Sequence, residues 1–398
     1  MKALRDGRTP LLFAAAVLGG LMALLSGAER LLMWRQLGVL PLDRSFGDLR
    51  VVTSAWDCSR RGIDVLAANP CDPWSRAMNY PRIWLLPGAF GLGQSSTVII
   101  GIALCAVFLL AVMILLGRLS QRQAVLYGVM LGSPAVLLAV ERGNTDLLVF
   151  ALCALGLVAL HRAGTSWTAV GVALILAATV LKLYPVFALA VLVPRTRIAV
   201  AALVVAAGYA VLTRGDLSLI SQATPRPIFL SYGTGPVAAG IGLAPIIVAV
   251  GIVLASGIIA LVPKIRQMAR ETSPSLAGDA FVAGAALFFG TFLIGSNWDY
   301  RLTMLLLCAP RLVEWMRSPS TRSVAAGALA GVVALLWLTR FADSAGPGTD
   351  LFRLVSVGVV VVLAGLMASI LWNRVATSWL RAVLPGRWRP AAADSIEA

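Results

Sequence analysis

Long apolar runs alternate with short polar connections along almost the whole chain. The apolar segments lie at roughly 11–28, 96–117, 123–140, 146–160, 167–181, 184–194, 198–212, 237–262, 279–296, 302–316, 323–341 and 352–373. Runs of this kind need a solvent that accepts them, and inside a bilayer only helices satisfy their own backbone groups. The pattern predicts an all-α polytopic membrane protein with about twelve spans (a range of 10–13). Lys182 and Pro185 interrupt the stretch 167–194. It is read as two short, broken helices meeting near the outer surface. One kinked helix is the alternative, and it would invert every span downstream.

Composition agrees. Of 398 residues, 59% are hydrophobic and 13% charged, against about a quarter charged in a soluble domain. Mean hydropathy is +0.87. The formal net charge of +15 does not indicate nucleic acid, because the basic residues stand singly or in pairs between apolar runs. They follow the positive-inside rule instead. With Lys2, Arg5 and Arg8 inside, the inner connections carry Arg118 and Arg122, Arg162, Arg195 and Arg197, then Lys264, Arg266 and Arg270. Arg311, Arg317 and Arg322 follow, and finally Arg374, Arg381, Arg387 and Arg389. Both termini are expected in the cytoplasm, with 1–382 a single membrane domain and 383–398 a polar tail. The apolar run near the N-terminus, about 18 residues, exceeds the h-region of a signal peptide, so an uncleaved first span is favoured.

The long hydrophilic region, 29–95, then falls outside. It mixes Asp43, Asp48, Asp57, Asp64 and Asp72 with arginines and with Trp34, Trp56, Trp74 and Trp84. Short helices on the membrane interface, with tryptophans at headgroup depth, are expected. Cys58 and Cys71 are the cysteine pair in this loop and should form a disulfide in an oxidising compartment. Cys105, Cys153 and Cys308 lie within spans and read as small apolar residues.

The lone histidine, His161, sits beside Arg162 at a helix end. No zinc-ligand spacing, P-loop, Asp-x-Asp pair or G-x-S-x-G elbow occurs, so neither a metal nor another cofactor is called for. Polar groups instead cluster at the outer ends of the spans. They are Asp48, the run Glu141-Arg142-Gly143-Asn144-Thr145-Asp146, Lys182-Leu183-Tyr184-Pro185, and Asn297-Trp298-Asp299-Tyr300-Arg301, with Asn79-Tyr80-Pro81-Arg82 as a fifth grouping. An ionisable group costs about 2.5–3.5 kcal/mol at the centre of a membrane helix and less near the interface. Four clusters on one side therefore imply pairing or a wet cavity. Turn residues locked in structural salt bridges are the plainer alternative.

These motifs, with an acidic residue early in the first outer loop, resemble the GT-C superfamily of membrane glycosyltransferases. Within it they are most similar to the GT87 group, which includes polyprenol-phosphate-mannose-dependent mannosyltransferases. Members often carry Gln where this chain has Asn144, and Tyr-Pro-Pro where it has Tyr80-Pro81-Arg82. The resemblance implies transfer of a mannose-like hexose or a pentose from a polyprenyl-phosphate donor to a cell-envelope glycan or glycolipid, at the outer face of a bacterial inner membrane. Asp48 is expected as general base, with Asp43 the second choice. Lys182, Arg142, Arg301 and Arg82 are expected on the donor phosphate. Glu141, Asn144, Asp146, Tyr184, Asn297, Asp299, Tyr300 and Tyr80 are expected around sugar and acceptor. A multi-pass transporter, a lipid-linked-sugar flippase and a membrane scaffold are the competing functions.

Overall fold

The computed structural model describes residues 27–272 and 274–383. All but two residues of the first apolar segment, and all but one of the tail, lie outside that range. Apart from one two-residue ladder, the described chain is built of helices. Five are long and apolar enough to cross a membrane, and up to eight crossings result if each bent pair is one span. The chain is therefore a polytopic membrane protein.

The bends have local causes. Gln121–Leu131 and Pro134–Arg142 meet at 59°, where Ser133 is extended and Pro134 opens the second helix. Proline lacks the N–H that would continue the first ladder. Thr234–Ile241 and Pro245–Leu261 meet at 111°, after Gly242 in the left-handed region. Around 167–194 the expected break is present. Helix Thr165–Lys182 stops at Leu183, whose φ is 57°, and a tighter 3-10 helix, Tyr184–Leu192, follows with Pro185 in its first turn. The first piece is longer than expected, since it reaches the length of a span.

Region 29–95 contains helix Gly47–Arg60 and the 3-10 helix Arg82–Phe90. It has a small core of its own, in which Val52, Ala55, Val65, Leu66 and Met78 are buried. The expected disulfide joins Cys58 to Cys71. The tryptophans differ from expectation: Trp34, Trp56 and Trp84 are buried inside the protein. For Trp56 and Trp84 the N–H groups explain how this is tolerated. Trp56 donates to the Trp84 carbonyl, and Trp84 donates to the Leu181 carbonyl at 3.0 Å, so each polar edge is satisfied in the core. The second bond also ties the loop to the end of helix Thr165–Lys182.

Phe46 fixes where the loop enters. It adopts a left-handed conformation, φ 57°, and its N–H donates to the Glu141 carbonyl at 3.0 Å. Its side chain lies over Gly101 and Gly143, where an added Cβ would come within 2.5 Å and 2.9 Å of Phe46 atoms.

Two outcomes test this arrangement. Replacing Cys58 and Cys71 by serine releases a loop with a sequence separation of 13; the expected loss is about 3 kcal/mol, read as a lower unfolding temperature in detergent and faster proteolysis within 59–78. Gly101→Ala should displace Phe46 and lower function with little change in membrane insertion. A fully active Gly101→Ala protein would show that Phe46 does not set the loop's position.

Candidate functional site

Three of the predicted clusters meet through one carboxylate. Asp146 opens helix Asp146–Leu160 and is fully buried. Lys182, the last residue of its helix, lies 2.6 Å from Asp146 Oδ1. The Tyr184 hydroxyl donates to the same oxygen at 2.9 Å, and Arg301 Nε lies 3.4 Å from Oδ2. The antiparallel helices Asp146–Leu160 and Thr165–Lys182 bring a first residue beside a last one. Burying such a carboxylate is tolerable only with paired cations and hydrogen bonds around it.

Asn144 carries this network to Asp48. Its Oδ1 accepts from Lys182 Nζ at 3.0 Å and from the Asp146 N–H at 2.9 Å. Both bonds require the oxygen on that side, so the amide is fixed and its NH₂ donates to Asp48 Oδ2 at 2.6 Å. The other Asp48 oxygen lies 3.9 Å from both Arg76 and Arg142, too far for direct hydrogen bonds. It faces a cavity.

Two adjoining cavities, of about 210 Å³ and 150 Å³, share Asn79, Tyr80, Trp298 and Tyr300 as a common wall. Asp48, Arg76 and Arg142 line the larger, and Lys182 and Arg301 the smaller. Four cations thus line the cavities, each also paired with a carboxylate behind the wall: Arg76 with Asp72, Arg142 with Glu141, and Lys182 and Arg301 with Asp146. The Trp298 and Tyr300 rings stack, with centroids 6.3 Å apart. Their segment is held by the ladder that pairs Ser231 with Trp298 and Tyr232 with Asn297. Such an aromatic wall suits the apolar face of a sugar ring or an isoprenoid chain.

Other predicted residues stand behind the cavity wall. Glu141 is buried, 3.2 Å from Arg30 and 3.2 Å from Arg142 Nε, and accepts from the Leu42 N–H. The contact with Arg142 is an ion pair without hydrogen-bond alignment. Asn297 accepts from Arg301 and donates to the Thr291 carbonyl. Asp299 is buried with one oxygen unpartnered, and it lines neither cavity. Glu141 and Asn297 hold arginines from behind the wall, and none of the three residues lines a cavity.

Two expectations move further. Arg82 is not at the cavities; it bridges Asp64 and Asp216 at 3.0 Å and 2.9 Å, tying the loop to helix Arg214–Ala223. The hydrogen bond from Arg82 holds the exposed Asp64 carboxyl below its ordinary value. Asp43 is exposed and lines neither cavity. Conversely, Arg76 is part of the site although no sequence cluster contained it. Asp72 grips it through two bonds, at 3.0 Å and 2.9 Å, and it also donates to the Gly47 carbonyl at 2.7 Å. The signal was an acid and a base four apart, directly after Cys71.

No family model, curated protein or solved structure matches this chain.

Removing the shared carboxylate should be costly. Asp146→Ala leaves Lys182 and Arg301 without their common partner, a change of about 3–5 kcal/mol when a buried pair is broken. Equilibrium unfolding in detergent reads this directly, and a loss below about 1 kcal/mol, the scale of a surface pair, would contradict the role given to Asp146.

Proposed function

We propose that the chain is an inverting membrane glycosyltransferase that takes its sugar from a polyprenyl-phosphate donor and passes it to a hydroxyl of a cell-envelope glycan or glycolipid. The observation that carries this is an Asp48 oxygen that accepts no hydrogen bond, at a cavity lined by Arg76 and Arg142 and adjoining one lined by Lys182 and Arg301. One base among several cations is what a hydroxyl nucleophile and a phosphate leaving group require.

In this mechanism Asp48 takes the proton of the acceptor hydroxyl. The acceptor oxygen forms a bond to the anomeric carbon while the bond from that carbon to the phosphate oxygen breaks on the opposite face. The phosphate leaves as polyprenyl phosphate with one additional negative charge. Fixed cations where that charge develops lower the barrier, because they need no reorganisation. Lys182 and Arg301 serve the phosphate, Arg76 and Arg142 orient Asp48 and the acceptor, and Tyr80, Trp298 and Tyr300 hold the sugar. Residues 142, 146, 182 and 301 all lie at helix ends or starts. That depth suits a lipid-linked substrate, with its tail in hydrocarbon and its phosphate at the boundary. A solute-transport site more often lies near the midplane.

The membrane orientation follows the charge. Arg118, Arg162, Arg195, Lys264, Arg317 and Arg322 fall at the helix ends opposite to Asp146, which supports a cytoplasmic placement of that side and an extracytoplasmic site. Alternation of site-end and far-end residues among the described residues, with the first apolar segment read from the sequence as one more span, supports twelve crossings of GT-C type, with both termini inside a bacterial inner membrane. The sugar is a mannose-like hexose or a pentose.

Purified protein given a labelled polyprenyl-phosphate sugar and a glycolipid acceptor should form product. Asp48→Asn should lower turnover by about 10²–10⁴, with donor binding nearly unchanged. Near-normal turnover would remove Asp48 as base. Solute accumulation in vesicles without any sugar product would replace the enzyme with a transporter.

A further inference from the structure

A separate cavity, of about 240 Å³, lies at the far end of the bundle, between the end of helix Thr97–Leu116, the start of Gln121–Leu131, the start of Leu276–Leu293 and helix Ala309–Trp315. Helix Thr97–Leu116 begins beside the loop, where Thr97 bonds to Thr53, and its 20 residues carry the chain about 30 Å away from it. The cavity and the site above are therefore about one hydrocarbon thickness apart.

Its basic lining is uncommitted. Arg118 and Arg317 both face it, and neither guanidinium has an ion pair or side-chain hydrogen bond among the described residues. Glu314, also on the wall, is taken up by Arg311 at 2.9 Å. Tyr127 is 2% exposed and lines the cavity, and its hydroxyl has no hydrogen-bond partner among the described residues. The hydroxyl oxygen is not itself sealed off, so it is free to donate to a ligand in the cavity. Gln123, also on the wall, is held by Ser120 at 2.9 Å, and Leu115, Leu116 and Leu119 supply apolar wall beside it. Just above on the same helix, Leu110 and Ile114 turn outward, 57% and 42% exposed, where a membrane protein meets acyl chains.

We infer that this cavity binds the phosphodiester headgroup of an anionic glycerophospholipid. Arg118 and Arg317 pair with the phosphate, Tyr127 donates to one of its oxygens, and the acyl chains descend along Leu110 and Ile114. A basic notch between spans with an apolar exit is the arrangement that selects a lipid phosphate over a soluble one. The site is independent of the transfer reaction and touches none of its residues.

Native mass spectrometry of the full chain in a non-ionic detergent tests it, with phosphatidylglycerol, phosphatidylcholine and inorganic phosphate in separate arms. Phosphatidylglycerol adducts should dominate, the double variant Arg118→Gln with Arg317→Gln should weaken them by roughly tenfold or more, and Tyr127→Phe should weaken them severalfold. The double variant should keep its unfolding temperature in neutral detergent; if it does not, the two single variants carry the comparison. Equal phosphatidylglycerol binding by variant and wild type overturns the proposal. So does binding of inorganic phosphate as tight as that of the lipid, since that marks a soluble-anion site.

Discussion

The buried carboxylate of Asp146 is the constraint on which this molecule is organised. It stands where three separate segments end or begin, and it draws Lys182, Tyr184 and Arg301 to one point. Each of those side chains would be expensive alone beside hydrocarbon. Together they form a set in which every charge has a partner, and the helix ends must stay in register to keep it so. The break at Leu183 belongs to the same constraint. A continuous helix through residue 184 would carry Tyr184 away from the Asp146 oxygen that Lys182 also reaches.

A second layer of contacts converts this structural centre into one with chemical capacity. Asn144 accepts from the Lys182 and Asp146 side and donates to Asp48, so the state of the buried ion set fixes how Asp48 is held. From the other direction, the loop reaches Asp48 through Arg76. The disulfide Cys58–Cys71 is followed directly by Asp72, whose grip on Arg76 determines where that guanidinium sits. Thus the bundle sets one oxygen of Asp48, and the loop and Arg142 surround the other. That other oxygen is left without a hydrogen bond because neither arginine comes closer than 3.9 Å.

The two ends of the bundle differ in how they use charge. At the site end, acids and bases are interleaved and mostly paired, with the unpaired valence directed at the cavities. At the far end, basic residues predominate and several stand without acidic partners among the described residues. That asymmetry gives the chain a direction in the membrane. It also leaves Arg118 and Arg317 available to a phosphate at the opposite boundary.

Much of this was legible in the sequence. Apolar runs exclude a soluble fold because hydrophobic transfer and backbone satisfaction are properties of composition and length. The break near Lys182 and Pro185, the cysteine pair, and the clustering of Asp48, Asn144, Asp146, Lys182 and Arg301 could each be read locally, since a charge inside an apolar run demands a partner. Local sequence did not decide which partner. Whether Arg82 or Arg76 flanks Asp48 depends on the path of the disulfide loop, and Arg82 instead bridges Asp64 to Asp216, more than a hundred residues away. Likewise, tryptophan chemistry permits both an interfacial belt and a buried core, and the carbonyls of Trp84 and Leu181 settle that choice for Trp56 and Trp84. The amino-acid order fixed which groups could not remain alone in hydrocarbon. Tertiary packing chose their neighbours, because pairing energies depend on distances that chain separation does not encode.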